Sequence, residues 1–94
     1  MDAARFTPNP DVVWRQVEGE VVLVHLKTNQ MYALNPTGAR FWELLSEGRD
    51  TARIEATLLA EFEVDAGDLR SEIDRLLREL VDAGLVDRSD GADT

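Results

Sequence analysis

Cysteine is absent from this chain of 94 residues, and histidine occurs once, at position 25. The first absence excludes disulfide scaffolds, zinc ribbons, thiol nucleophiles and redox relays. The second excludes metal sites built from His/Cys clusters, leaving carboxylates as the sole candidate ligands. No run reaches the roughly 18 uncharged apolar residues of a membrane span. The opening stretch, MDAARFTPNPDVVW, also lacks the apolar segment of a secretory signal. The chain therefore reads as a soluble cytoplasmic protein. Positive charge is scarce as well, with 10 Lys and Arg against 19 Asp and Glu and a formal charge of -9. Such a field repels phosphate backbones unless the basic groups gather on one face, and here they are spread along the chain. Neither EGE nor PTGA has the spacing of a glycine-rich phosphate loop. No cofactor and no metal is expected.

What is present suffices for one small domain. Two of the three prolines fall in the first ten residues, and the chain closes on RSDGADT. This composition predicts a flexible arm over residues 1–10, a folded domain over 11–87 and a disordered tail over 88–94. VVWRQV and EVVLVHL are rich in β-branched residues and flank Glu18-Gly19, a tight-turn candidate, so they predict a β-hairpin. A second turn, KTNQ, leads to a third strand, MYAL (31–34), with Asn29 suited to a left-handed conformation.

Asn35 then reads as a helix cap, Pro36 as the first helical residue, and Phe41, Leu44 and Leu45 as the buried stripe. Asp50 opens a second helix carrying Ile54, Leu58, Leu59 and Phe62. Asp65 opens a third, in which Leu69, Ile73, Leu76, Leu77, Leu80 and Val81 form the clearest amphipathic stripe. Gly84 closes it, and Leu85-Val86 is expected to tuck back into the core. The predicted class is α+β and winged-helix-like: a three-stranded antiparallel β-meander followed by three α-helices.

Catalytic inventory is thin. Glu72 with Glu79, and Asp74 with Asp82, are carboxylate pairs, but acid–base work needs a pocket that shifts their pKa values, and a solvated helix face explains them. His25 has no serine, cysteine or acidic orienter nearby in sequence and reads as a surface or packed imidazole. Phe41 and Trp42 read as core or half-core, with Trp14 packing across the sheet. No enzymatic activity is expected. The second and third helices could form a helix-turn-helix, making the chain a winged-helix DNA regulator, yet the third helix carries five carboxylates against three arginines and would be pushed from a major groove.

Geometry supplies the remaining candidate. In an open meander the third strand leaves an edge that nothing else in the chain covers, next to the apolar third helix. That is the receptor design for an added peptide strand. An ordinary unpaired edge, protected by its shortness, is equally compatible with the pattern.

Residues Tyr32, Leu34, Asn35, Gly38, Trp42, Leu44 and Leu45, in the order Y-x-L-N-x-x-G-x-x-x-W-x-L-L, together with the closing L-x-x-x-G-L-V, resemble the PqqD-like proteins, or RiPP precursor peptide recognition elements. The resemblance runs over about residues 11–87. It implies a winged-helix-like fold without DNA binding that captures the leader segment of a ribosomally made precursor as an antiparallel strand along the third strand. By that resemblance Met31, Tyr32, Ala33 and Leu34 meet the leader backbone. Leu69, Ile73 and Leu77, flanked by Arg70 and Asp74, line the helix wall. The PTGAR corner and Trp42 are most similar to the stand-alone leader-binding proteins of lasso-peptide biosynthesis, whose partners are a leader peptidase and a macrolactam synthetase. The alternative within the family is a peptide chaperone of pyrroloquinoline quinone or another radical-SAM pathway.

Overall fold

The computed structural model describes residues 6–88. Its elements are β1 (Phe6–Pro8), β2 (Val12–Val17), β3 (Glu20–His25), β4 (Gln30–Leu34), α1 (Pro36–Ser46), α2 (Thr51–Glu61), α3 (Ala66–Asp82) and β5 (Val86–Arg88). Strands β2, β3 and β4 form the expected antiparallel meander, and the three helices follow it in order. The β2–β3 turn places Glu18 at φ 50° and Gly19 at φ 83°, the left-handed pair that a two-residue hairpin requires. Asn29 takes φ 61° at the second turn.

Each helix begins on a side-chain cap. Asn35 Oδ1 accepts from the Gly38 N–H at 2.8 Å, Asp50 Oδ1 from Arg53 at 2.9 Å, and Asp65 Oδ2 from Gly67 at 2.9 Å and Asp68 at 3.2 Å. Helix α3 ends in a Schellman motif: the Leu85 N–H donates to the Leu80 carbonyl at 2.8 Å and Gly84 N–H to the Val81 carbonyl at 3.0 Å, with Gly84 at φ +74°. The reversal carries Leu85 and Val86 into the core, where both are buried.

That reversal also corrects the sequence expectation for the termini. Residues 1–10 were expected as an arm, yet Phe6–Pro8 pairs antiparallel with Val86–Arg88, with Phe6 opposite Arg88 and Pro8 opposite Val86. Phe6 is half-buried against the core and lies 6.0 Å beneath the Arg88 guanidinium, and the Asn9 N–H donates to the Leu85 carbonyl at 2.9 Å. One aromatic side chain with a place to bury it orders the segment. The expected C-terminal tail likewise gives up residue 88 to β5; residues 1–5 and 89–94 lie outside the described residues.

The core lies between one face of the meander and the helices. Val21 and Leu23 from β3 meet Phe41, Trp42 and Leu45 of α1, Ile54 and Leu58 of α2, and Leu69 and Leu80 of α3. Trp42 is fully buried, and its Nε1 has no hydrogen-bond partner, so it is a packing residue. His25 is packed, with Nδ1 accepting from the Lys27 N–H at 3.2 Å. Two members of the expected helical stripes, Leu59 and Val81, are exposed, as is Trp14 on the edge strand β2. No described helix is long and apolar enough to cross a membrane.

Candidate functional site

Within the described residues, β4 pairs with β3 on one side and with no strand on the other. Register fixes what that open side offers. In a two-residue hairpin the flanking pair, Val17 and Glu20, exchanges hydrogen bonds, and bonded and non-bonded pairs then alternate along an unbulged ladder. Val21, Leu23 and His25 therefore turn their main-chain groups toward β4, where they face Leu34, Tyr32 and Gln30. The intervening residues, Met31 and Ala33, direct their N–H and C=O groups to the open edge. The edge thus presents two donors and two acceptors in a row.

The sequence makes the corner that ends this edge. Asn35 leaves the strand in extended geometry, φ -68° and ψ 174°, and caps α1, with Pro36 following as its first residue. Gly38 permits a close approach: a Cβ there would lie 3.3 Å from both Asn35 Oδ1 and Leu34 Cβ, a tight contact. The first turn of α1 is thereby pressed against the end of β4.

A cleft of about 180 Å3 opens at this corner between β4, the start of α1 and one face of α3. Its floor is apolar, formed by Leu34, Phe41, Leu58, Leu69 and Ile73, with half-buried Leu76 above them. Glu72, Arg75 and Glu79 stand along the α3 wall, and Asn35 and Thr37 along the other. Two carboxylates and one guanidinium leave the rim mildly acidic over a neutral floor.

Of the residues singled out in the sequence, Ala33, Leu34, Leu69 and Ile73 come together at this cleft. Met31 and Tyr32 stand farther along the same strand; Met31 is 68% exposed on the outer sheet face, and Tyr32 is half-buried on the helix side. Arg70, Asp74 and Leu77 lie elsewhere, around a separate hollow on the neighbouring face of α3 with Phe6, Glu55 and Arg88. Arg70 there donates to Glu55 Oε2 of α2 at 3.0 Å. Residues 69, 72, 73, 76 and 79 form one helical face, and 70, 74 and 77 its neighbour, about a third of a turn away. Leu76, read as core from sequence, and Glu72, Arg75 and Glu79 were missed. The signal that separates the two faces is the pairing of Arg70 with an acidic residue of α2, which assigns its side of α3 to helix–helix contact.

Ion pairing joins the helices behind the cleft. Arg40 of α1 donates to Glu61 of α2 through two bonds of 2.9 Å and to Glu43 at 3.0 Å. Its guanidinium holds the Glu61 carboxyl below its ordinary value through the hydrogen bond, and desolvation opposes this in part.

Comparison with known proteins identifies the family and the fold. A family model described as Coenzyme PQQ synthesis protein D (PqqD) matches residues 20–86, from the first residue of β3 to the first of β5. Among solved structures, "TbiB1 in Complex with the TbiA(beta) Leader Peptide" superposes with a TM-score of 0.81 at 32% identity, covering 86% of this chain and 94% of that one. "Lasso peptide synthetase B1 complexed with the leader peptide" superposes with a TM-score of 0.79 at 26% identity, covering 88% and 98%. No curated protein matches the chain in sequence.

Proposed function

The chain belongs to the PqqD family, and from that premise we propose that it is a leader-binding adaptor: it captures the leader segment of a ribosomally made precursor peptide and presents it to separate modifying enzymes. The observation that carries this reading is the open edge of β4, with Met31 and Ala33 directing N–H and C=O outward beside an apolar cleft. An extended peptide laid along that edge gains main-chain hydrogen bonds without regard to sequence. Its alternate side chains supply the selectivity: those opposite Tyr32 and Leu34 turn toward the helices, and the one at Leu34 enters the cleft. The titles of both structural neighbours name a bound leader peptide, which supports the same assignment.

The adaptor has no catalytic step of its own in this account and works in the cytoplasm, where precursors are made. Its enzymes are the leader peptidase and macrolactam synthetase of a lasso-peptide pathway, a choice supported by the neighbour described as a lasso peptide synthetase B1. The family description favours a second reading, a chaperone in pyrroloquinoline quinone synthesis; the 98% coverage of the chain described as a lasso peptide synthetase B1 ranks it behind the first.

A fluorescence-polarisation titration with the labelled leader of the precursor encoded beside this chain tests the reading. Saturable binding that changes little between low and high salt is expected, because the cleft floor is uncharged and the contacts are short-range. A folded chain without leader binding contradicts it.

A further inference from the structure

The α3 wall of the cleft carries charges that the fold itself does not use. Glu72 and Glu79 stand three and four residues from Arg75, spacings at which ion pairs form on a helix surface. Among the described residues neither carboxylate is paired, whereas Lys27, Arg40, Arg49 and Arg70 each hold a carboxylate within 3.4 Å. Beyond the cleft the same wall continues into an open hollow bordered by Asp68, Ser71, Glu72 and Arg75. Asp68 belongs to the first turn of α3, where a carboxylate also suits the helix dipole. Glu72, a turn further on, has no such role.

The direction of α3 sets the order in which a bound peptide meets these charges. His25 pairs with Gln30 at the start of β4 and packs beside Gly84, where a Cβ would lie 3.7 Å from its Nε2. The C-terminal end of α3 therefore lies by the start of β4, and Leu69, near the N-terminal end, joins Leu34 at the strand's end. A leader antiparallel to β4 thus runs in the same sense as α3. Its residues before the cleft anchor pass Asp68 and Glu72, and those after it pass Glu79. Side chains on one face of a strand recur every 6.8 Å or so, about the rise of four to five helical residues. The leader residue two before the anchor therefore comes between Glu72 and Asp68.

We propose that the cleft rim selects leaders by charge: the residue two before the apolar anchor is basic, and Glu72, with Asp68 behind it, holds its head group. The inference rests on the adaptor reading and adds a second determinant to the apolar pocket. Glu72 is already half-buried, and a strand laid beside it removes more of its water, so an unmet carboxylate there weakens binding. Arg75 stands between the two carboxylates at the cleft and repels a basic side chain from the anchor position itself. A contact of this kind near the surface changes affinity by only about fivefold or less. Strand and floor set the affinity, and the rim sets the choice between leaders.

The test uses the full chain and leader peptides of the precursor encoded beside it, with Lys, Gln or Glu placed two residues before the anchor. The anchor is the apolar leader residue whose change to Asp abolishes binding. In fluorescence polarisation at one salt concentration, the wild-type chain is expected to bind the Lys leader about fivefold tighter than the Glu leader, with the Gln leader between them. Glu72→Gln is expected to shrink that preference to about twofold or less, and Glu72→Lys to reverse it. Asp74→Lys makes the same change in net charge as Glu72→Lys, on the neighbouring face of α3, and is expected to keep the wild-type order, which separates a contact from a long-range field. Equal affinity of the three leaders for the wild-type chain, or an unchanged preference in both Glu72 variants, overturns the proposal and leaves leader capture standing. Reversal by Asp74→Lys as well, or by Glu79→Lys in place of Glu72→Lys, overturns it too. A wild-type chain that binds none of the three leaders contradicts the adaptor reading, and this inference falls with it.

Discussion

Single residues set the corner on which the cleft depends. Asn35 was legible as a cap because capping uses a short polar side chain at a fixed spacing, a local rule that needs no tertiary knowledge. Asn35→Ala removes the 2.8 Å bond to the Gly38 N–H. It is expected to lower stability by about 1 kcal/mol, read as a reduced denaturation midpoint with unchanged slope.

Glu61 gives a pH-dependent test at the same scale. Its folded-state pKa lies below the ordinary value because Arg40 hydrogen-bonds the carboxylate. Its contribution is therefore present above the ordinary carboxylate range and is lost as pH falls through the folded value. Glu61→Gln should melt slightly lower than wild type at neutral pH, and the two melting curves should converge as the pH falls below the ordinary carboxylate range. A gap that persists in acid contradicts the pairing.

At the scale of elements, strands and helices were largely readable and their neighbours were not. The order of meander and helices followed from alternation, caps and glycines. Strand β1 was missed because three residues around a proline carry no periodic signal, and their order comes from Phe6 finding β5. Helix α3 shows the same limit: its stripe is broad enough to face two neighbours, and the pattern alone does not say which face meets the cleft. Leu69 and Ile73 line the cleft, and Ile73 also borders the hollow on the neighbouring face. Leu76→Asp puts a charge at the cleft wall and should weaken leader binding by about tenfold or more, whereas Leu77→Ala, on the neighbouring face, should act mainly on stability. Comparing leader titrations with thermal melts of the two variants checks this directly.

The edge strand permits a backbone test. Proline at Met31 or Ala33 removes an N–H that bonds nothing within the sheet, so Met31→Pro and Ala33→Pro should keep the fold and lose leader binding. Tyr32→Pro removes an N–H directed at β3 and should unfold the meander instead. Folded spectra with full leader affinity in both edge variants contradict strand addition.

For the molecule as a whole, composition excluded more than it assigned. The acidic balance, the lack of cysteine and the sparse nucleophiles weigh against nucleic-acid binding and most side-chain chemistry, and the acidic α3 weighs against the winged-helix regulator. The open side of β4 was expected from the meander, but the lining of the cleft beside it emerges only when the α1 corner and the packed face of α3 are known. The account then makes the whole domain a rigid holder for one extended strand.

Residue-resolved amide hydrogen exchange, with and without saturating leader peptide, measures that claim most directly. The account predicts that the Met31 and Ala33 amides exchange freely in the unliganded chain and become protected on binding, while the Tyr32 amide is already protected and changes little. Saturated leader binding that leaves Met31 and Ala33 as exposed as before would contradict it.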